Sequence, residues 1–566
     1  MLLNPKKATF DHLDPRSREI MKKTIEYFES RGKKQLKSDS QERKWYADFI
    51  EFMKENQVMA TLLTPAPYAE GNPDARWDTY RNCDFNEILG FYNLSHWYTW
   101  QVSILGLGPI FMGKNEAVKK QTAQMLKDGG IFAFGLSERA HGADLYSSDM
   151  TLTPLGDGKY VADGGKYYIG NGNKAALVST FGKNSETDEY VFFVVSPEHK
   201  NYTLVQNVVN WEGYVAEYAL NGYPITDADI LTTGKDAWDS SLNTINVGKF
   251  NLGWGAIGIA THAFYEAINH ASHRNLFGKW VTDFPHIRQL FTDAYCRLVA
   301  MKLFAQRATD YLRSASETDR RYLLFNPMVK MKVTTQGEEV INLLWDVIAA
   351  RGFEKDMYFE LAVKDIRSLP KLEGTVHVNM ALIIKFMANY FFNPGQFPDI
   401  PHRNDPKNDD FLFNQGATKG LGKIQFHDYN AAYGNVDLEN VKIFKGQIEL
   451  LKEFLTTATP SAEQAKNVDF LLSLGELFTL VVYGQLLLEK YKMENLDRDL
   501  MEQIFDFMVR DFSKFALQIY SKPDSTAKQM ELCMKMIQKP FVDNDRFLRF
   551  WNDQVFSLKD TYEMNA

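Results

Sequence analysis

One carboxylate in this 566-residue chain sits where chemistry is possible. The stretch LPKLEGTVHV, residues 369–378, places Glu373 between Leu372 and a Gly-Thr turn, at the head of an apolar helical run. An acid in that position has two uses. It can cap the helix, favoured by the macrodipole. It can also take a proton from a bound molecule, as a base strengthened by apolar neighbours that desolvate it. The residues alone leave both open. His270 and His273 lie three apart on a helix, but no acidic or Cys partner converges at ligand spacing, so no metal site is expected. Cys83, Cys296 and Cys533 are far apart and odd in number. They form neither a disulfide framework nor a zinc spacing, which suits a reducing compartment and a cytoplasmic location.

Three more motifs stand beside the acid: FAFGLSERAHGADL (132–145), GGKYYIGNG (164–172) and HRNLFGK (273–279). They fall at the joints between elements. Up to residue 130 the apolar spacing is helical, as in REIMKKTIEYFESRG and ERKWYADFIEFMKEN, and one helix pair turns at Gly113 and ends at Gly129-Gly130. From 131 to about 240 β signals dominate. Asp157-Gly158 and Asp163-Gly164 read as turns between tyrosine-rich strands, and EYVFFVVSP reads as a buried strand. Helical periodicity then returns. Ile257, Ala260, Phe264, Ala267, Ile268 and Ala271 share one face; Leu290, Ala294, Leu298, Met301, Ala305, Ala308 and Leu312 share another. EEVINLLWDVIAARGF and the run after EGT supply two further helices, which suggests a four-helix bundle over 241–395. FFNPGQFPDIPHRNDPKNDD reads as a linker, and the rest of 396–566 as a helical extension. The expected fold is α+β: an N-terminal helical domain (1–130), a central antiparallel β-barrel-like domain (131–240), the bundle, and an additional helical C-terminal domain.

Composition narrows the function. Hydrophobic residues make up 45% and the formal net charge is −8, so the chain has ample core and no basic tract for nucleic acid. The N-terminus has no apolar run of signal-peptide length. Residues 470–488 approach membrane-span length, but Glu476 and Gln485 interrupt them, and a buried bundle helix without membrane contact is expected.

The motifs, in their order and spacing, resemble those of the acyl-CoA dehydrogenase family over roughly residues 20–395. The family's aromatic-x-x-Thr-Glu-Pro-x-x-Gly-Ser-Asp is here Phe134 to Asp144, and its Asn-Gly-x-Lys-x-Trp-Ile-Thr-Asn is DGGKYYIGN. Its Arg-x-x-Phe-Gly stands intact at Arg274, Phe277 and Gly278, and its Glu-Gly-Thr at Glu373, Gly374 and Thr375. The resemblance implies an FAD enzyme that oxidises an acyl-CoA to its trans-2-enoyl form. Glu373 would take the α-proton while the β-hydrogen leaves as hydride to flavin N5. It further implies cofactor contacts at Phe134, Leu136, Ser137, Gly142, Ala143, Tyr168, Gly170, Arg274, Phe277, Thr375 and His377, with Lys249 and Gly374 near substrate. Arg274 would reach the FAD pyrophosphate of a neighbouring subunit; its planar fork suits phosphate. An electron-transfer flavoprotein partner, a role in β-oxidation and a homodimer follow from the same resemblance, the extension being similar to that of very-long-chain members.

The departures are specific. The family's Gln-x-x-Gly-Gly-x-Gly-Phe is here Asp346 to Phe353, with Ala349 and Ala350 for the two glycines. An added Cβ obstructs close approach to a phosphate, and an acid repels it. Pro285 replaces a Gln, Arg139 the first motif's Pro, Ala143 its Ser, and Gly170 the second motif's Thr. Two other readings therefore stand beside the dehydrogenase: an acyl-CoA oxidase on the same scaffold, and a non-catalytic descendant that binds an acyl-CoA or a partner.

Overall fold

Side-chain caps set where the N-terminal helices begin, because the first N–H groups of a helix lack partners within it. In the computed structural model, which describes residues Met1–Ala566, Asp14 opens α1 (Pro15–Glu42) by accepting from Ser17 N. Gly32, at φ 75°, kinks that helix. Asp78 opens α2 (Thr79–Tyr92), Asn93 opens α3 (Leu94–Met112), and Asn115 opens α4 (Glu116–Lys127). The expected turn at Gly113 is the end of α3.

The strands follow as β1 (Phe132–Gly135), β2 (Thr151–Gly156), β3 (Lys159–Gly170), β4 (Leu177–Asn184), β5 (Tyr190–Val195), β6 (Tyr202–Asn207), β7 (Val215–Thr226) and β8 (Ile230–Thr233). Their order is β6-β7-β3-β2-β4-β5-β8, with β1 on β4. Three expectations change here. The sheet does not close into a barrel, and it is mixed, since β1 and β2 both run parallel to β4. Asp163-Gly164 is no turn either. The strand runs on through it against β7, and the register slips between Ala162 and Gly164, with Gly164 at φ 140°. The extra residue is on β7, where Asn221 and Gly222 stand opposite Asp163 alone, and the two strands keep pairing on both sides of that bulge. Asp157-Gly158 does turn the chain, both residues at positive φ. Leu152, Ala162, Val178, Phe193, Tyr218 and Leu220 form the sheet's core.

The longer helices that follow include α5 (Gly234–Ser272), α6 (Pro285–Arg313), α7 (Thr334–Ile348), α8 (Tyr358–Ile366), α9 (Val376–Ile383), α10 (Glu439–Thr457), α11 (Val468–Glu494) and α12 (Arg498–Tyr520). The apolar faces read from sequence on α5 and α6 are buried, apart from a half-buried Leu290. The chain separates into two compact units. One holds Ala8–Asn251, Asn404–Lys419 and Met564–Ala566; the other holds Met1–Lys7, Leu252–Arg403 and Gly420–Glu563. The C-terminal helices thus belong with the bundle. α6 packs against α7, α11 and α12. Arg297 on α6 makes a two-pronged pair with Asp511 on α12 at 2.7 and 2.9 Å, and Arg307 Nε reaches Glu489 on α11 at 2.7 Å. α11 is long and apolar enough to cross a membrane, yet 83% of its most apolar window is buried inside the fold. The linker segment is irregular but held: Arg307 Nη2 donates to Ile400 O at 2.9 Å and Arg403 N to Asp310 at 2.8 Å. Irregular backbone must find such partners wherever it is buried.

In the sheet-bearing unit, α3 lies close against β1. A Cβ at Gly106 would stand 2.6 Å from Ala133 N and 2.8 Å from its O. Gly106→Ala is expected to overpack this contact and cost about 1–3 kcal/mol, read as a lowered thermal midpoint with unchanged far-UV circular dichroism.

Candidate active site

The candidate residues divide between the two units, and each set is built by its own local structure. In the sheet-bearing unit, β1 runs parallel to β4 and delivers Phe134, Leu136 and Ser137 to the strand's end. Phe134 and Leu136 are buried; Ser137 is half-buried, and no hydrogen bond within the fold engages its hydroxyl. Backbone ties this motif to the second one, as Tyr167 N donates to Ser137 O at 2.9 Å. Beyond Lys166 the β3–β7 register slips again, and the bulge leaves Tyr168 at φ 66° with 45% of its surface exposed. Bulges of this kind re-aim a side chain out of the strand alternation.

Glu138 and Lys166 hold this arrangement, and the sequence reading passed over both. Lys166 is enclosed, and its Nζ donates to Leu136 O at 3.0 Å and to Glu138 Oε1 at 2.7 Å. Glu138 also accepts from Ser148 Oγ at 2.7 Å, Asp149 N at 2.7 Å and Met150 N at 3.2 Å. Burial pulls the Lys166 ammonium down to about 8 despite the acid beside it. For Glu138 burial works upward, but the Lys166 charge and these hydrogen bonds overcome it and hold the carboxyl below its ordinary value. Glu138, His141 and Asp149 bring three ligand-type atoms within 4.8 Å of one another, but Lys166 already supplies the cation that Glu138 needs. The signal was present in sequence as a lone acid and a lone lysine inside apolar motifs.

The other expected positions in this unit differ from one another. Gly142 and Ala143 lie on an exposed loop, with open space where a Cβ on Gly142 would stand. Gly170 is buried, and a Cβ there would meet Tyr98 and Val102 at 2.7 Å. That contact explains why no threonine occupies this position. Lys249 is buried.

In the bundle unit, Glu373 and Gly374 take consecutive left-handed conformations, φ 51° and 90°. Glu373 is half-buried and its Oε2 is shut off from solvent. The loop is gripped from two sides. Lys330 is fully buried on a π-helical turn (Val329–Val333), and its Nζ donates to Pro370 O and Gly374 O, each at 2.6 Å. Asn379 Nδ2 donates to Gly374 O and Thr375 O, each at 3.0 Å. The Thr375 hydroxyl accepts from Val378 N as the cap of α9. His377 is exposed. The helix cap is therefore Thr375, and Glu373 sits two residues before it.

Arg274 and Phe277 lie at a small hairpin (Asn275–Leu276 with Lys279–Trp280). Phe277 is 95% exposed at φ 52°, and the exposed Arg274 guanidinium makes no ion pair. Asp346, Ala349 and Ala350 are exposed. Ala349 takes φ 55°, ψ −139°, a backbone conformation suited to glycine. A flavin fits the unengaged Ser137 hydroxyl and the half-open Tyr168 ring, and a phosphate fits the unpaired Arg274. At Asp346 an acid replaces a neutral donor.

Residues 236–388 match the family described as acyl-CoA dehydrogenase, C-terminal domain. The 3-(aryl)acrylate reductase of Clostridium sporogenes is 23% identical over 287 residues, covering 50% of this chain and 75% of that protein. The human very long-chain specific acyl-CoA dehydrogenase is 24% identical over 319 residues, 51% of this chain and 46% of that protein. Among solved structures, the FAD-complexed acyl-CoA dehydrogenase of Bacillus anthracis aligns over 99% of this chain and 98% of its own, at 15% identity and a TM-score of 0.71. Butyryl-CoA dehydrogenase of Megasphaera elsdenii covers 66% of this chain and 97% of its own, at 17% identity and a TM-score of 0.58.

The Glu138 carboxyl is depressed in the folded state, so its stabilisation is complete above the unfolded value of about 4.5 and lost as pH falls through and below it. Denaturant titrations at pH 7 and pH 4 are expected to show a smaller acid-dependent loss in Glu138→Gln than in the parent. At pH 7 the variant is expected to lose about 3–5 kcal/mol, because an enclosed ammonium is left without its acid.

Proposed function

We propose that this chain, a member of the acyl-CoA dehydrogenase family, oxidises an acyl-CoA thioester between its α and β carbons, with Glu373 as the base. The observation that carries the reading is the placement of Glu373 before the helix cap rather than in it. The carboxyl is half-buried on a loop held by Lys330 and Asn379, and Thr375 does the capping. Glu373 is therefore placed by the loop and not by a capping role.

A thioester α-proton is very weakly acidic in water, so its removal needs a positioned base and a stabilised enolate oxygen. Glu373 would take that proton. Partial burial keeps water from solvating its carboxylate, which strengthens it as a base. When bound, a flavin supplies the acceptor for the β-hydrogen, which leaves as hydride as the double bond forms. Ser137 would bond the flavin's polar edge and Tyr168 would cover a ring face. The exposed loop at Gly142 and Ala143 leaves backbone accessible to phosphate. Arg274, exposed and unpaired, would bind the pyrophosphate of a flavin held by a second copy, which makes the working form a homodimer. Leu136, Phe134 and Phe277 would pack on the cofactor, His377 would lie at its margin, and Lys249 and Gly374 would lie near substrate. Electrons would pass to an electron-transfer flavoprotein; a caffeyl-CoA reductase–Etf complex subunit of Acetobacterium woodii is 22% identical over 284 residues. The three free cysteines are all buried, which suits a reducing cytoplasm.

Anaerobic addition of an acyl-CoA panel to FAD-loaded protein is expected to bleach the flavin's visible absorbance. Glu373→Gln is expected to keep flavin and lose bleaching by at least about 100-fold, the scale of a positioned base. Peroxide release in air at the rate of turnover would make the protein an oxidase. A colourless protein that FAD does not reconstitute would make it a binding descendant. Bleaching by Glu373→Gln at the parent's rate would remove the assignment of the base.

A further inference from the structure

Lys330 has no counterpart in the chemistry proposed so far, and it is an unusual residue. An ammonium that no solvent reaches is costly unless its environment replaces the lost water. Here the replacement is two backbone carbonyls, Pro370 O and Gly374 O, both at 2.6 Å. Those carbonyls bracket Glu373. The lysine projects from the π-helical turn Val329–Val333, where one extra residue enters the helix. Such insertions occur mostly at functional sites. Thr334 and Thr335 hydroxyls donate back to Lys330 O at 2.6 Å and Met331 O at 2.9 Å, which satisfies carbonyls on the widened turn.

The loop that Lys330 holds cannot hold itself. A left-handed glutamate is disfavoured by contact between its Cβ and the following carbonyl, and Gly374 continues in the same hand. Conformations of this kind persist where surrounding structure over-determines them. Lys330 and Asn379 are those determinants, and they share Gly374 O as an acceptor. Without the lysine, one donor from Asn379 remains on that carbonyl and none of these contacts remains on Pro370 O.

We infer that Lys330 is the positioning residue for the base, its ammonium clamping the Pro370 and Gly374 carbonyls so that the Glu373 carboxyl keeps a single direction. The inference rests on the dehydrogenase reading for its catalytic consequence and on geometry alone for its structural one. Each consequence has its own measurement.

Lys330→Met keeps an unbranched side chain, one heavy atom shorter, and removes the charge. In FAD-loaded protein at saturating acyl-CoA, the rate of flavin reduction is expected to fall about 100-fold, the cost of moving a reacting group by roughly 1 Å. The acyl-CoA concentration for half-saturation is expected to change by less than threefold, because the lysine is enclosed by the fold and donates to backbone carbonyls. In cofactor-free protein, hydrogen exchange of the peptide over residues 369–380 is expected to speed at least tenfold, while peptides from α11 stay as in the parent. Asn379→Ala loosens the same loop from the other side and is expected to show both effects at a smaller size. It decides the matter if Lys330→Met does not accumulate as folded protein.

Parent-like exchange over 369–380 in the folded variant overturns the clamp. Faster exchange with a reduction rate within threefold of the parent keeps the clamp and overturns its role for the base. A parent protein that binds FAD yet is bleached by no acyl-CoA rejects the dehydrogenase reading and the catalytic role with it; the exchange result then stands or falls separately.

Discussion

Two adjacent left-handed residues, Glu373 and Gly374, are the constraint around which this part of the bundle is organised. The glutamate's conformation costs about 1–2 kcal/mol against a right-handed one. That cost is met locally, by a buried lysine and a buried asparagine that reach the same carbonyl. The lysine in turn requires a widened helical turn to bring it there, and the widened turn requires threonine hydroxyls to satisfy its carbonyls. Each feature is unfavourable alone, and together they place one carboxyl. Thr375 then caps α9 and leaves that carboxyl without a structural duty in the cap.

The sheet-bearing unit solves a similar problem in a similar way. The segment after β1 leaves the sheet and must be ordered without strand partners. A second enclosed lysine, Lys166, binds Leu136 O and the Glu138 carboxylate, and Glu138 gathers the donors of Ser148, Asp149 and Met150. In both units a desolvated ammonium exchanges water for fixed oxygens and in doing so orders an irregular loop. Ser137 and Tyr168 are the side chains left over, one with an unengaged hydroxyl and one raised on a bulge.

The departures from the family pattern now have unequal weight. Gly170 is explained by packing, since Tyr98 and Val102 fill the space that a larger side chain would need. Ala349 keeps a glycine-like backbone, so the path of the chain survives the substitution although the alanine adds a methyl. Asp346 is different, because an exposed acid changes the charge of its surroundings whatever the backbone does. Nothing in the structure explains its presence.

What could be read from residues alone is what short segments encode. Asn and Asp before an apolar run cap helices, so α2, α3 and α4 begin where their caps stand, and helical spacing identified the buried faces of α5 and α6. The motifs around Ser137, Tyr168, Arg274 and Glu373 were legible for the same reason, each lying within about a dozen residues. Partner choice was not. Asp157-Gly158 and Asp163-Gly164 carry one local signal, and only the continued pairing of β3 with β7 kept the second within a strand, opposite a bulge in β7. Lys330 meets its acceptors 40 and 44 residues away, and Arg297 meets Asp511 across 214. Burial decides whether such a charge is a solvated side chain or a clamp, and burial is a property of the packed chain rather than of any window along it.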